Sequence, residues 1–238
     1  MIMEPPKRFN KNYIHHQKSS VANVLREVVF GVEDGMVSTL GSITGIAIGS
    51  QNHSIVILAG IVIISVESIS MGIGSYVSNI SHEEMNQRKI KEEKEELRDF
   101  PEEEKEELYQ MYLMDGWSDK LASEMSFEAS NKPELILKEM TMHELKITCE
   151  ESTSLKGGIF MFFAYILGGL VPLASYFFLP IKIALPLSIV VTLAGLFFLG
   201  MGTTKFTKGP VLKSSLRMLF MGGVALMVGL LAGTLIGQ

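Results

Sequence analysis

The sequence predicts an all-α integral membrane protein with five transmembrane helices and a soluble helical insert between the second and the third. Three observations carry this. Charge is segregated: all 26 acidic residues lie at or before Glu151, and from Gly157 to Gln238 the only charged residues are Lys182, Lys205, Lys208, Lys213 and Arg217. A soluble helix needs charge along its outer face, which this tail does not supply. Five runs are apolar, each with roughly the 20 residues that a ~30 Å hydrocarbon layer demands. Lysine and arginine, finally, are confined to alternate connections, as the positive-inside rule requires.

Taken in order, residues 1–27 form a basic arm (Lys7, Arg8, Lys11, Lys18, Arg26) without the apolar run of a cleavable signal peptide. Spans one and two occupy 28–50 and 54–79 within a 28–80 unit; the first carries Glu33 and Asp34, the second Glu67 as its only charge. The insert, 81–154, is acidic and reads as four helices. Residues 83–98 lack Gly and Pro and are rich in strong helix formers. Pro101 opens a second helix at its first turn. A third covers 118–129, and a fourth runs from Pro133 to about 151 and leads into span three. The last unit, 155–238, holds spans three to five at 157–179, 183–203 and 211–236.

The arm, residues 80–156 and residues 204–217 together hold 20 of the 21 basic residues, leaving Lys182 alone on the other connections. The N-terminus and the insert are therefore expected in the cytoplasm and the C-terminus on the opposite side. A formal net charge of −5 gives no basic field for nucleic acid. A single cysteine, Cys149, excludes an intramolecular disulfide and a cysteine-cluster metal site. Gly41, Gly45 and Gly49, and again Gly229, Gly233 and Gly237, recur every four residues. That spacing serves close helix packing within one chain or at a dimer interface.

Chemistry is expected first inside the membrane. Glu33, Asp34 and Glu67 are ionisable groups within spans, where each charge costs at least ~2.5 kcal/mol and is seldom kept without a use. At ~1.5 Å per residue, Asp34 lies roughly 9 Å in from the start of span one, and Met71 and Glu67 about 12 and 18 Å in from Asn79. Asp34 and Met71 are thus expected to be nearly level, with Glu67 one turn deeper on the face of Met71. Hard oxygen beside soft sulfur suits a borderline transition ion such as Fe2+. In the insert, Glu93/Glu96 and Glu104/Glu107 are i, i+3 pairs on two helices joined by a tight turn, and Met140/Glu144 repeats the sulfur–carboxylate pairing of Met71/Glu67. Such density of like charge asks for a cation. Interleaved Lys91, Lys94 and Lys105 favour a solvated acidic face on spacing alone. No nucleophile motif or Gly-rich phosphate loop occurs. His15, His16, His53, His82 and His143 show no ligand spacing among themselves, and no histidine supplies the Glu-x-x-His pairs of a di-iron oxidase.

The segments FGVEDGMVSTLGSITGIA, SISMGIGSYVS and YILGGLVPLASYFFLP resemble the vacuolar iron transporter family, as does the order of parts: two spans, a Glu-rich insert, three spans. The resemblance implies a homodimer that exports Fe2+, and often Mn2+, from the cytosol in exchange for protons, without a prosthetic group and without enzymatic activity. It implies a transport path through Asp34 and Met71 and a metal-binding insert in which Glu93, Glu96, Glu104, Glu107, Met140 and Glu144 are ligands. Plant members carry a span-two glutamate where this chain has Ile63; here Glu67, one turn nearer the methionine, is expected to take its place. The competing reading is a membrane-anchored metal buffer or sensor, which would have no use for buried acids.

Overall fold

The computed structural model describes residues 21–147 and 154–236. The arm before Val21 with His15 and His16, Cys149, residues 148–151 of the fourth expected insert helix, and Gly237 lie outside the described residues. The order is α1 Val21–Ser50, α2 His53–Asp99, α3 Pro101–Met114, α4 Asp119–Ser130, α5 Pro133–His143, α6 Ser154–Phe178, α7 Ile181–Thr207 and α8 Val211–Ile236, with no strand among the described residues.

Four of these helices, α2, α6, α7 and α8, are long and apolar enough to cross a membrane. The three C-terminal ones match the expected spans closely. α1 has the length, 30 residues, but Glu33, Asp34 and many Gly, Ser and Thr residues dilute its apolar content. It is nonetheless central, packed against both α6 and α8. Glycine permits this. A Cβ on Gly35 would run into the Tyr165 carbonyl of α6, and one on Gly41 would stand 2.8 Å from the Ala225 carbonyl of α8. The two glycine stripes meet each other, Gly45 lying against Gly229 and Gly233, so their spacing serves packing within the chain.

α2 differs from expectation. Span two and the first insert helix are one uninterrupted helix of 47 residues, roughly 70 Å long. Nothing between Asn79 and Asp99 can break it, and exposed i, i+4 pairs such as Arg88–Glu92 at 2.8 Å decorate it. Asn52 caps its start, its side-chain oxygen accepting from the backbone N–H groups of Ser54 and Ile55. Val56, Gly60, Ile64, Ser68 and Gly72 form a buried stripe at fourfold spacing that packs on α6.

The helix ends at Phe100, and Pro101 starts α3. Leu108, Tyr112, Ala122, Ala129, Ile136 and Met140 from α3, α4 and α5 bury a small apolar core of their own. α5 is shorter than expected. It stops at His143, and Lys146 takes a left-handed φ of 51° that ends helical propagation.

Candidate functional site

Where the outer half of α2 meets α3 and the end of α5, three carboxylates converge. Oxygens of Glu93, Glu104 and Glu144 lie within 4.8 Å of one another. The folding reason is local: the Phe100–Pro101 turn folds α3 back on α2, and the apolar core brings up the end of α5, whose C-cap is Glu144. Glu93 is only 1% exposed and Glu104 7%. Glu93 Oε1 and Glu104 Oε2 are buried without a hydrogen-bond partner, and among the described residues no ion pair reaches Glu93, Glu104 or Glu144. Buried orphan carboxylate oxygens are costly, and a divalent cation is the partner that would satisfy several at once.

The electrostatics agree. Burial, a hydrogen bond with Glu144, and the charges of Glu144, Glu104 and Glu96 push the Glu93 carboxyl up to about 8. Burial, followed by the charges of Glu107, Glu144 and Glu96, raises Glu104. Glu107 is raised by burial and by Glu144 and Glu96. Of the six residues expected here, three share one point, and the exposed Glu96 and Glu107 act on it through their charge. Met140 is fully buried in the apolar core one turn before Glu144.

A second group lies between α1 and α2. Ser75 Oγ donates to Glu27 Oε2 at 2.9 Å, and Asn79 Nδ2 donates to Ser75 Oγ at 3.4 Å. This fixes the antiparallel register. Seven residues on from Glu27 is Asp34; seven back from Ser75 is Ser68, beside Glu67. Asp34 therefore stands level with Glu67, close enough for the Glu67 carboxylate to act on it. The expected level of Asp34 and Met71 is corrected: Met71 lies one turn nearer the insert. Glu33 interacts with the charge of its neighbour Asp34 and, more weakly, with that of Arg217 on α8. Asp34 and Met71 are partly buried, whereas Glu67 is exposed on the flank of α2.

Beyond Asp34 on the seam, Ser38 shares a hydrogen bond of 2.5 Å with the hydroxyl of the fully buried Tyr165 on α6. Ser38 also lines a cavity of about 860 Å3 whose wall includes Gly41, Ser42, Gly45, Ile63 and Gly229. Ile63, where plant members were expected to carry their glutamate, thus faces the cavity. Glu27, Ser38 and Tyr165 were not singled out by sequence reasoning. The signal for Glu27 was available, since it stands at i, i+7 from Asp34 and so on the same face.

The VIT family profile matches residues 25–234, nearly the whole chain. The chain belongs to the VIT family. A relative named vacuolar iron transporter 1 from Tulipa gesneriana is 30% identical over 228 residues, covering 94% of this chain and 92% of that protein. A protein of the same name from Arabidopsis thaliana is 28% identical over 94% of this chain and 90% of its own. A vacuolar iron transporter from Toxoplasma gondii is 30% identical over 93% of this chain and 77% of its own. With four membrane-crossing helices and this membership, the VIT chain is a multi-pass membrane protein, and each of these relatives is named as a transporter.

Proposed function

We propose that this VIT chain is a transporter that moves Fe2+, and Mn2+ by the same route, out of the cytosol in exchange for protons. The observation that carries the reading is that Asp34 and Glu67 stand at one level on adjacent membrane-spanning helices, where carboxylates persist only for a use. Metal and proton compete for such groups, which is the coupling an exchanger needs. The seam runs from Glu27 and Ser75 past Met71 to Asp34 and Glu67, then to Ser38 and the cavity. It supports a stepwise path along α1.

In this reading α1 is the fifth span. The two-residue turn Gln51–Asn52 returns the chain directly into α2, so α1 runs beside α2 at the same depth. The Lys and Arg distribution places the N-terminus and the insert (81–154) in the cytoplasm and the C-terminus opposite. The carboxylates Glu93, Glu104 and Glu144, with Glu96, Glu107 and the Met140 thioether as further donors, capture cytosolic metal. Glu67 is exposed at mid-span on a single chain, and a charge there cannot be left to lipid; a second copy covering it makes the functional unit a homodimer.

The test is anaerobic Fe2+ uptake into proteoliposomes that trap a pH dye. Uptake with protons moving the opposite way supports the exchanger. Tight metal binding without uptake refutes it and leaves a membrane-anchored buffer.

A further inference from the structure

α3 and α5 carry ligands of the proposed capture site, Glu104 on one and Glu144 at the end of the other. Apart from the apolar core and the capture site, a polar cluster among the described residues joins them. His143, the last residue of α5, faces Asp115 at the end of α3 with Nδ1 3.0 Å from Oδ2. Its Nε2 lies 3.5 Å from Oε2 of Glu139, one turn back on α5. The Tyr112 hydroxyl of α3 donates to that same Glu139 oxygen at 3.0 Å. The Tyr112 ring meets the His143 ring edge to face at 5.5 Å. His143, Glu139 and Tyr112 thus close a ring of contacts, with Asp115 joined to it at His143, around a Tyr112 that is only 2% exposed.

The neighbouring backbone shows what this ring controls. The N–H groups of Glu144 and Leu145 both donate to the Met140 carbonyl, and that of Ile147 donates to the Thr141 carbonyl. The turn carrying Glu144 is therefore tied to α5 itself. Glu144 goes where α5 goes, and the angle of α5 on α3 decides whether its carboxylate reaches Glu93 and Glu104. Apolar cores tolerate small slides of a helix, whereas directional polar contacts define one arrangement.

We infer that the Asp115–His143–Glu139–Tyr112 cluster is a clamp that positions Glu144 over Glu93 and Glu104, with His143 as its central positioning residue. The inference deepens the proposed capture site and rests on that reading for its effect on metal. Outer contacts of this kind usually govern metal affinity by 10–100-fold.

The experiment uses the full-length protein and two readouts. In a Cys149→Ser background, Glu104→Cys and Glu144→Cys are joined in the absence of metal by a short bis-methanethiosulfonate, each cysteine thiolate displacing a sulfinate to form a disulfide with the linker. Fast cross-linking is expected with His143 present, a loss of at least about fivefold with His143→Phe, and an intermediate rate with His143→Gln, which keeps one polar contact. Asp115→Asn, which alters a single contact at the clamp's edge, is the second variant in case His143→Phe disturbs the insert fold. Unchanged cross-linking in Asp115→Asn and His143→Phe, with helicity intact, overturns the clamp. With native carboxylates, Co2+ affinity is expected to fall 10–100-fold in His143→Phe and to show no further fall when His143→Phe is added to Glu144→Gln. A full additional loss in that double variant would mean a general structural effect and overturn the positioning role. Cross-linking that depends on His143 in a protein that binds no metal would uphold the clamp and refute the capture site instead.

Discussion

Asp34 on α1 stands level with Glu67 on α2, near enough for the Glu67 carboxylate to act on Asp34, while Met71 lies one turn closer to the insert. In the proposed exchanger, two acids at one depth would hold protons and a divalent ion in competition, because the ion requires both deprotonated. Glu67→Gln is therefore expected to lower proton counterflow per Fe2+ delivered, with uptake reduced at least about tenfold at the pH where the wild type is fastest. Simultaneous recording of metal and proton flux in proteoliposomes checks this. An unchanged ratio and rate would remove Glu67 from the path.

The insert should bind metal in a steeply pH-dependent way. Glu93 is pushed up to about 8 and Glu104 and Glu107 are raised, each chiefly by burial. Below about 8 the Glu93 carboxyl is protonated, so affinity for Mn2+ or Co2+ should fall as pH drops from 8 to 6, and binding should release protons. Calorimetry in buffers of different ionisation enthalpy measures the release.

The same shift has a stability sign. A carboxyl whose folded value is raised contributes stability that is complete below its unfolded value, near 4.5, and is lost as pH rises through its folded value, here about 8. The metal-free protein should therefore melt at a lower temperature at pH 8.5 than at pH 5, and divalent metal should restore the difference at pH 8.5. Glu93→Gln, which removes the buried charge, should flatten this dependence and weaken metal binding together. Thermal unfolding monitored by circular dichroism, with and without metal, is the check.

Packing of α1 supplies a prediction with its own control. A Cβ on Gly41 would meet the Ala225 carbonyl at 2.8 Å, whereas nothing lies within 4 Å of one on Gly74. Gly41→Ala should cost about 1–3 kcal/mol through overpacking between α1 and α8. Gly74→Ala should be neutral or stabilising by up to about 1 kcal/mol through helix propensity. Denaturation in detergent of the two variants side by side tests the pair.

Much of this architecture is legible in the residues, and the gaps have physical reasons. The three C-terminal helices follow from charge-free runs of bilayer length, which few other structures accommodate. The continuity of α2 was hidden because hydropathy changes at Asn79 while helix propensity does not; solvent changes along the helix, the backbone does not. The levels of Met71 and Glu67 differ from expectation because they are counted inward from Asn79 as a span end. Register is set instead by the Glu27–Ser75 contact, four residues deeper in α2, and four residues are one helical turn. Carboxylate spacing along α2 and α3 marks Glu93 and Glu104 as candidates, because i, i+3 pairs and a proline turn are local. Spacing alone favours a solvated acidic face, however, and the family resemblance is needed to expect a metal site. Nothing local announced that His143 meets Asp115, since that contact depends on how α5 is laid across α3.

The proposed path stands or falls most directly on Asp34→Asn, assayed for Fe2+ uptake and for metal bound by the insert in the same preparation. The expected result is complete loss of uptake and of counter-moving protons, with the insert still binding metal as tightly as before. Uptake at the wild-type rate in this variant would contradict a route through the Asp34–Glu67 level.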